Sequence, residues 1–170
     1  MASKGAQIAE LFTKAVATTK GFDQHLNKVN KLLCCDQGRM VTEFRVGPEH
    51  LNQRGTLHGG FIAHLVDAIS TYALTANDHI ETRGVSIELS VSYLSAAREG
   101  DNIEVEAVTR KTGKKIAFLE VEVRNKDKNQ ECRCGIKLDN RIYRHLLNYF
   151  FCIFFIFSSH IFLNIINLIL

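Results

Sequence analysis

His58, Gly59 and Gly60 stand at the head of a long apolar run, and Asp67 interrupts that run nine residues after the histidine. The stretch reads LNQRGTLHGGFIAHLVDAIS over residues 51–70. A helix opens with N–H groups that have no helical partner, and its dipole favours negative charge there. Two glycines in succession let a ligand oxygen reach those groups without meeting a Cβ. Gly59 and Gly60 are therefore candidates for binding an oxyanion. Asn52, in the lead-in loop, brings a carboxamide donor that can point at the same oxygen. The plain alternative is that Gly55, Gly59 and Gly60 serve only a tight turn and close helix packing.

Asp67 follows six residues from Phe61 to Val66, five of them apolar, where burial is expected. A buried carboxylate is costly unless it is hydrogen-bonded or chemically employed. Ser70 and Thr71, one turn on, are donors that would give it a purely structural role. The chemical role is that of a base activating water, or of a nucleophile. An asparagine or glutamine would meet a structural need more cheaply, which favours chemistry. On one helix, Asp67 lies about 13 Å beyond His58 and on roughly the opposite face. If both are functional, Asp67 of one subunit must meet the helix start of another, so the protein would be a dimer with shared sites. His58 is expected to hold the loop or orient Asn52, and His64 to be a satisfied core or interface residue. Ser86, on the polar side of a strand-like run, can hold a water beside a carboxylate.

The elements that must position these groups follow from periodicity. Ile8, Leu11, Phe12, Ala15 and Val16 predict an amphipathic helix over 6–20 that stops at Gly21. A strand over 31–36 and a Gln37-Gly38 turn lead into Met40, Thr42, Phe44 and Val46 at a period of two. The run from Leu57 to about Ala76 predicts a helix buried on most sides. Four strand-like runs follow, over 85–93, 102–107, 117–123 and 132–138. Short turns between strands imply an antiparallel meander, and a strongly apolar helix is best buried by a sheet wrapped around it. The expected class is α+β: one antiparallel sheet curled on a long central helix, with an N-terminal helix beside it.

At 170 residues the chain can bury a core without disulfide or metal staples. A net charge of +3 with dispersed lysines and arginines excludes a nucleic-acid-binding stripe. Cys34, Cys35, Cys132, Cys134 and Cys152 lack zinc-site spacing, and the odd count suits free thiols in a reducing compartment. The N-terminal segment has no apolar core of the kind a secretory signal needs; it reads as an amphipathic helix or a mitochondrial presequence. Composition breaks near residue 145. Residues 146–170 hold no Asp, Glu, Lys or Arg but six of the eleven phenylalanines. Arg141, Arg144 and His145 precede them as they would a tail anchor with a cytosolic head. Two readings stand side by side, a membrane anchor and an extended gene model. The expected boundary is a 1–140 domain followed by an apolar tail over 141–170.

Four segments carry a resemblance: N-x-x-G-T-L-H-G-G at Asn52–Gly60, L-V-D-x-I-S-T at Leu65–Thr71, G-V-S-I at Gly84–Ile87 and Y-L-S-x-A at Tyr93–Ala97. In combination they make the chain similar to the hotdog-fold acyl-CoA thioesterases over roughly residues 5–138. The resemblance implies dimers paired edge to edge, usually assembled into homotetramers, and hydrolysis of medium- or long-chain fatty acyl-CoA without metal or cofactor, CoA being part of the substrate. By position, Asn52 and Gly59 would polarise the thioester carbonyl, with His58 supporting that side. Asp67 and Ser86 would place and activate the water. Gly60, Glu88, Tyr93 and the segment Lys111, Thr112, Gly113, Lys114, Lys115 and Ile116 would contact substrate, the lysines suiting CoA phosphates. A cytoplasmic or mitochondrial enzyme of fatty acid metabolism is implied, touching a membrane only through a genuine tail. Two departures stand out: Asn77–Arg83 is one residue longer than in the family and lacks its usual proline, and the short basic ending after Gly135 is replaced. The rival readings are an aryl-CoA thioesterase, a hydratase and a non-catalytic acyl-CoA-binding protein. A hydratase would need histidine and aspartate close together, which the spacing opposes.

Overall fold

In the computed structural model, residues 2–29, 31–80, 84–113, 116–127 and 134–136 are described. Helix α1 (Lys4–Thr18) is capped by Ser3, whose hydroxyl accepts the Ala6 N–H. It buries Ile8 and Phe12 and leaves Leu11 exposed. A 3-10 turn over Phe22–Lys28 follows. Strands β1 (Lys31–Asp36) and β2 (Arg39–Arg45) form a hairpin through Gln37 and Gly38. A short 3-10 turn over Pro48–His50 and a tight loop lead into α2 (Gly59–Thr75), the long central helix. Strands β3 (Asn102–Thr112), β4 (Ala117–Asn125) and β5 (Cys134–Ile136) complete the sheet. The order is β1-β2-β3-β4-β5, with every neighbour antiparallel.

Period-two alternation explains the two faces of this sheet. Met40, Thr42 and Phe44 of β2 lie opposite Ala107, Val105 and Ile103 of β3, and all six are buried. Val121 and Val123 of β4 extend the layer. On this face rests α2, whose Leu65, Val66, Ile69 and Ala73 have no exposed surface. The other face is ionic. Arg39 meets Glu106 at 2.7 Å, Arg110 meets Glu120 at 2.6 Å, and Arg124 lies among Glu104, Glu106 and Glu122. Partly exposed pairs of this kind add little stability each, but they keep the face wet.

Helix α1 closes the open side of the hairpin. Gly5 lies so close to β1 that a Cβ there would stand 2.3 Å from the Cys35 carbonyl oxygen. Phe12 meets Tyr72 of α2 edge to face, with centroids 5.0 Å apart. The Lys4 ammonium donates to the carbonyls of Asn77 and Ile80, tying the start of α1 to the end of α2.

One sequence expectation fails. Residues 85–93 form no strand. Val85, Ile87 and Leu89 are 63%, 43% and 39% exposed instead of facing a core. Alternation specifies which side a strand would bury, but a strand forms only where a neighbouring edge supplies its hydrogen bonds. The predicted strand 132–138 survives as Cys134–Ile136, and its flanks lie outside the described residues, as do Glu81–Arg83 and the whole segment 137–170. The expectations for a 1–140 domain and an apolar tail therefore concern residues beyond this description.

Candidate active site

Two constellations form, one at each end of the first half of α2. The loop before α2 is pinned by His50, which is buried. Its Nδ1 accepts the Gly47 N–H at 2.9 Å, and its carbonyl accepts the His58 N–H at 2.8 Å. The ring stacks on Phe61 at 4.8 Å and meets Phe44 edge-on. Burial pushes the His50 pKa below its ordinary value. Asn52 folds the loop into an Asx turn: its Oδ1 accepts the Arg54 and Thr56 N–H groups, and its Nδ2 donates to Thr56 Oγ1 at 2.8 Å. Gly55 occupies the left-handed region at φ +70°, which that turn requires. One Nδ2 hydrogen of Asn52 remains for a ligand.

His58 is the N-cap of α2. Its Nδ1 accepts the Gly60 N–H at 2.9 Å, so that N–H is already engaged. The Gly59 N–H has no partner among the described residues. Beside it lies Tyr93, whose hydroxyl donates to the Gly59 carbonyl at 3.1 Å. The helix start thus offers one free N–H, backed by the helix dipole and flanked by one spare amide hydrogen.

Asp67 sits half-buried two turns further on. Its Oδ1 accepts the Ser86 hydroxyl at 2.5 Å. The hydroxyls of Ser70 and Thr71, which their spacing offers to this carboxylate, donate to the Asp67 backbone carbonyl at 3.0 and 2.9 Å. Ser86 reaches Asp67 from an irregular segment, not from the strand that its spacing suggested. Asp67 also faces a cleft of about 180 Å³ between α1, the Phe22–Lys28 turn and α2, whose walls include Val16, Asp23, His64, Thr71 and Tyr72.

His64 is expected as a satisfied core or interface residue, and within one chain it is nearly buried but not satisfied among the described residues. Its side chain is only 9% exposed, and Nε2 has no hydrogen-bond partner among the described residues. The nearest anion, Asp23 Oδ1, is 3.8 Å away, and Phe22 stands edge-on to the ring at 4.8 Å. Burial lowers the His64 pKa, opposed by the Asp23 and Asp67 carboxylates. Sequence reasoning missed the wall formed by Asp23 and Leu26 entirely, because a 3-10 turn carries no periodic signal. The signal for His64 was available: it precedes Asp67 by three residues and so shares its helix face.

Lys111 and Gly113 are exposed on the β3–β4 hairpin, Thr112 pairs with Ala117, and the Gly113 N–H donates to the Ile116 carbonyl at 2.8 Å. Lys114 and Lys115 fall outside the described residues, and Glu88 is exposed. Among the described residues no His, Cys, Asp and Glu group could hold a metal ion.

Comparison with known proteins bears on this arrangement. Residues 54–132 match the model of the thioesterase superfamily. Acyl-coenzyme A thioesterase 13 of Homo sapiens is 39% identical over 113 residues, covering 66% of this chain and 79% of that protein. The crystal structure of zebra fish thioesterase superfamily member 2 superposes with a TM-score of 0.71 at 34% identity, covering 85% of this chain and 99% of that one. Thioesterase superfamily member 2 from Mus musculus gives a TM-score of 0.67 at 33% identity, covering 86% and 99%. A long helix laid on an antiparallel sheet is thus the hotdog architecture of these relatives. The family match spans both ends of α2, and with these relatives it shows that this chain belongs to the thioesterase superfamily.

Proposed function

We propose that this protein hydrolyses fatty acyl-CoA thioesters, of medium or long chain, to the free acid and CoA. The observation that carries the reading is the Asp67 carboxylate, which is held by Ser86 and faces a cleft on the central helix of a thioesterase fold. Asp67 takes a proton from a water held beside it and Ser86 while that water attacks the thioester carbonyl carbon. The carbonyl oxygen becomes an oxyanion that accepts from the Gly59 N–H and the spare Asn52 amide hydrogen. On collapse the C–S bond breaks, and the departing CoA sulfur receives the proton from Asp67. His58 supports the oxyanion side by holding Gly60 and the helix start in place.

Helix geometry separates Asp67 from Gly59 by about 12 Å, so the reading includes a homodimer in which each site draws on both subunits, and a homotetramer built from two such dimers. The exposed apolar side chains of Val85, Ile87 and Leu89 support it, since exposed apolar surface of this kind suits burial against a second copy. The hairpin from Lys111 to Ile116, with Gly60, Glu88 and Tyr93, is proposed to receive the CoA portion. Residues 1–140 are proposed as the catalytic domain, with 141–170 adding nothing to turnover. Free thiols at Cys34 and Cys35 suit the cytoplasm or the mitochondrion; burial, then the neighbouring Cys34 and Asp36, push Cys35 up to about 11 and keep it protonated. No described helix is long and apolar enough to cross a membrane.

The deciding experiment is an acyl-CoA hydrolysis assay with detection of the released thiol. Thiol release from aliphatic acyl-CoA, slower from aryl-CoA, supports the proposal. Binding of acyl-CoA without release would make the protein an acyl-CoA carrier, and a preference for aryl-CoA would replace the substrate class.

A further inference from the structure

Given the thioesterase reading on which this rests, we infer that the cleft beside Asp67 is a subsite for an acyl chain bearing a hydroxyl near the thioester, and that His64 recognises that hydroxyl.

The first ground is an unmet hydrogen bond. The His64 side chain is 9% exposed and its Nε2 is buried without a partner among the described residues. Such an atom is destabilising in the empty protein and becomes satisfied only when something brings an oxygen to it. Asp23 does not fill this role: its Oδ1 stands 3.8 Å away, beyond hydrogen-bond range, and its side chain is 66% exposed. The second ground is position. His64 and Asp67 line the same cleft and lie three residues apart on one helix face, with Cβ atoms about 5–6 Å from each other. An oxygen on His64 therefore belongs a few bonds from the carbon that water on Asp67 attacks.

The third ground is chemical type. Burial favours the neutral ring, whose Nε2 donates in one tautomer and accepts in the other. A hydroxyl partners both, whereas a carbonyl or ether oxygen partners only one. A plain hydrocarbon chain would pack well on Val16 and Tyr72 but leave the imidazole stranded. Phe22, which meets the His64 ring edge to face, is 68% exposed and belongs to a short 3-10 turn.

The test compares octanoyl-CoA with 3-hydroxyoctanoyl-CoA. The ratio of kcat/KM for the hydroxylated over the plain substrate is measured in wild-type protein, His64→Leu and His64→Gln. The same two compounds are titrated by equilibrium binding onto Asp67→Asn and onto Asp67→Asn with His64→Leu. Loss of one hydrogen bond should lower the hydroxyl preference by about five- to tenfold in His64→Leu. His64→Gln, which keeps a donor and an acceptor, should retain part of it. An unchanged ratio in His64→Leu, in turnover and in binding, overturns the inference. If wild-type protein releases thiol from neither compound, the thioesterase reading falls, and the binding ratios alone still decide the role of His64.

Discussion

The two halves of the proposed site, both on α2, are built in opposite ways. At the helix start most polar groups are engaged within the loop, although His50 Nε2 is buried without a partner among the described residues. Asn52 closes its own turn, His58 caps Gly60, His50 holds both ends, and the Gly59 N–H is left with no partner among the described residues. Around Asp67 the hydroxyls of Ser70 and Thr71 donate to the helix backbone, while the carboxylate is met from a distant segment by Ser86 and looks into an open cleft. The first half is a rigid donor that needs no reorganisation when an oxyanion forms; the second is a base with room for water and substrate. Neither is complete alone, and about 12 Å of helix keeps them from serving one carbonyl within a chain.

The largest test of this contrast is Asp67→Asn. It should lower turnover by about 100-fold or more, the range for a lost general base, while acyl-CoA binding persists. Near-normal steady-state rates would remove Asp67 from the chemistry. The division between chains is tested next by mixing Asn52→Ala subunits with Asp67→Asn subunits. Random pairing leaves one intact site in half of the dimers, so activity should recover to roughly a quarter of wild type. Mixed dimers that form yet stay inactive would place both groups in one chain.

Gly59→Ala probes the rigid half alone. The added Cβ would stand 3.3 Å from a Tyr93 ring carbon, a neighbour that can shift, so the melting temperature should barely move. Approach of an oxyanion to the Gly59 N–H would be hindered, and turnover should fall by about tenfold. A lost fold with proportional loss of activity would return this glycine to a packing role. Removing Lys111, Lys114 and Lys115 together should raise KM for acyl-CoA by several-fold, and less for an acyl thioester without the nucleotide. Equal changes for both substrates would make the hairpin ordinary solvated surface.

The smallest expected effect concerns pH, and it touches each half once. His50 and His64 are both held below the ordinary 6.5 by burial. The unfolded chain therefore binds their protons first as pH falls, so their contribution to stability is complete above about pH 6.5 and declines below it. Thermal denaturation should show the melting temperature falling from pH 7 to pH 5, with His64→Leu and His50→Phe each flattening part of that slope. A melting temperature that stays level across this range would contradict the burial of both imidazoles.

Much of the fold was legible because local periodicity reports burial directly. The spacing of Phe61, Ile62, Leu65, Val66 and Ile69 announced a helix with few exposed positions, and the alternation along β2, β3 and β4 announced which side faces it. The run from Val85 to Tyr93 alternates just as strictly and forms no strand, since pairing depends on an edge that this pattern cannot name. In the site, the nine residues between His58 and Asp67 were enough to separate the two halves, because helical rise is fixed by backbone geometry.

By itself, then, the sequence determined the central helix, its glycine start, the carboxylate within it and the distance between them. All of these depend on covalent spacing and on hydrophobic pattern. Only the tertiary structure decided how each polar group is used. Ser86 reaches Asp67 across nineteen positions. The hydroxyls of Ser70 and Thr71 donate to the helix backbone, Asp23 and Leu26 wall the cleft, and the His64 Nε2 is buried with no partner among the described residues. Hydrogen bonds are short-ranged and directional, so a residue's partner depends on what folding brings within about 3 Å, and separation along the chain does not encode that.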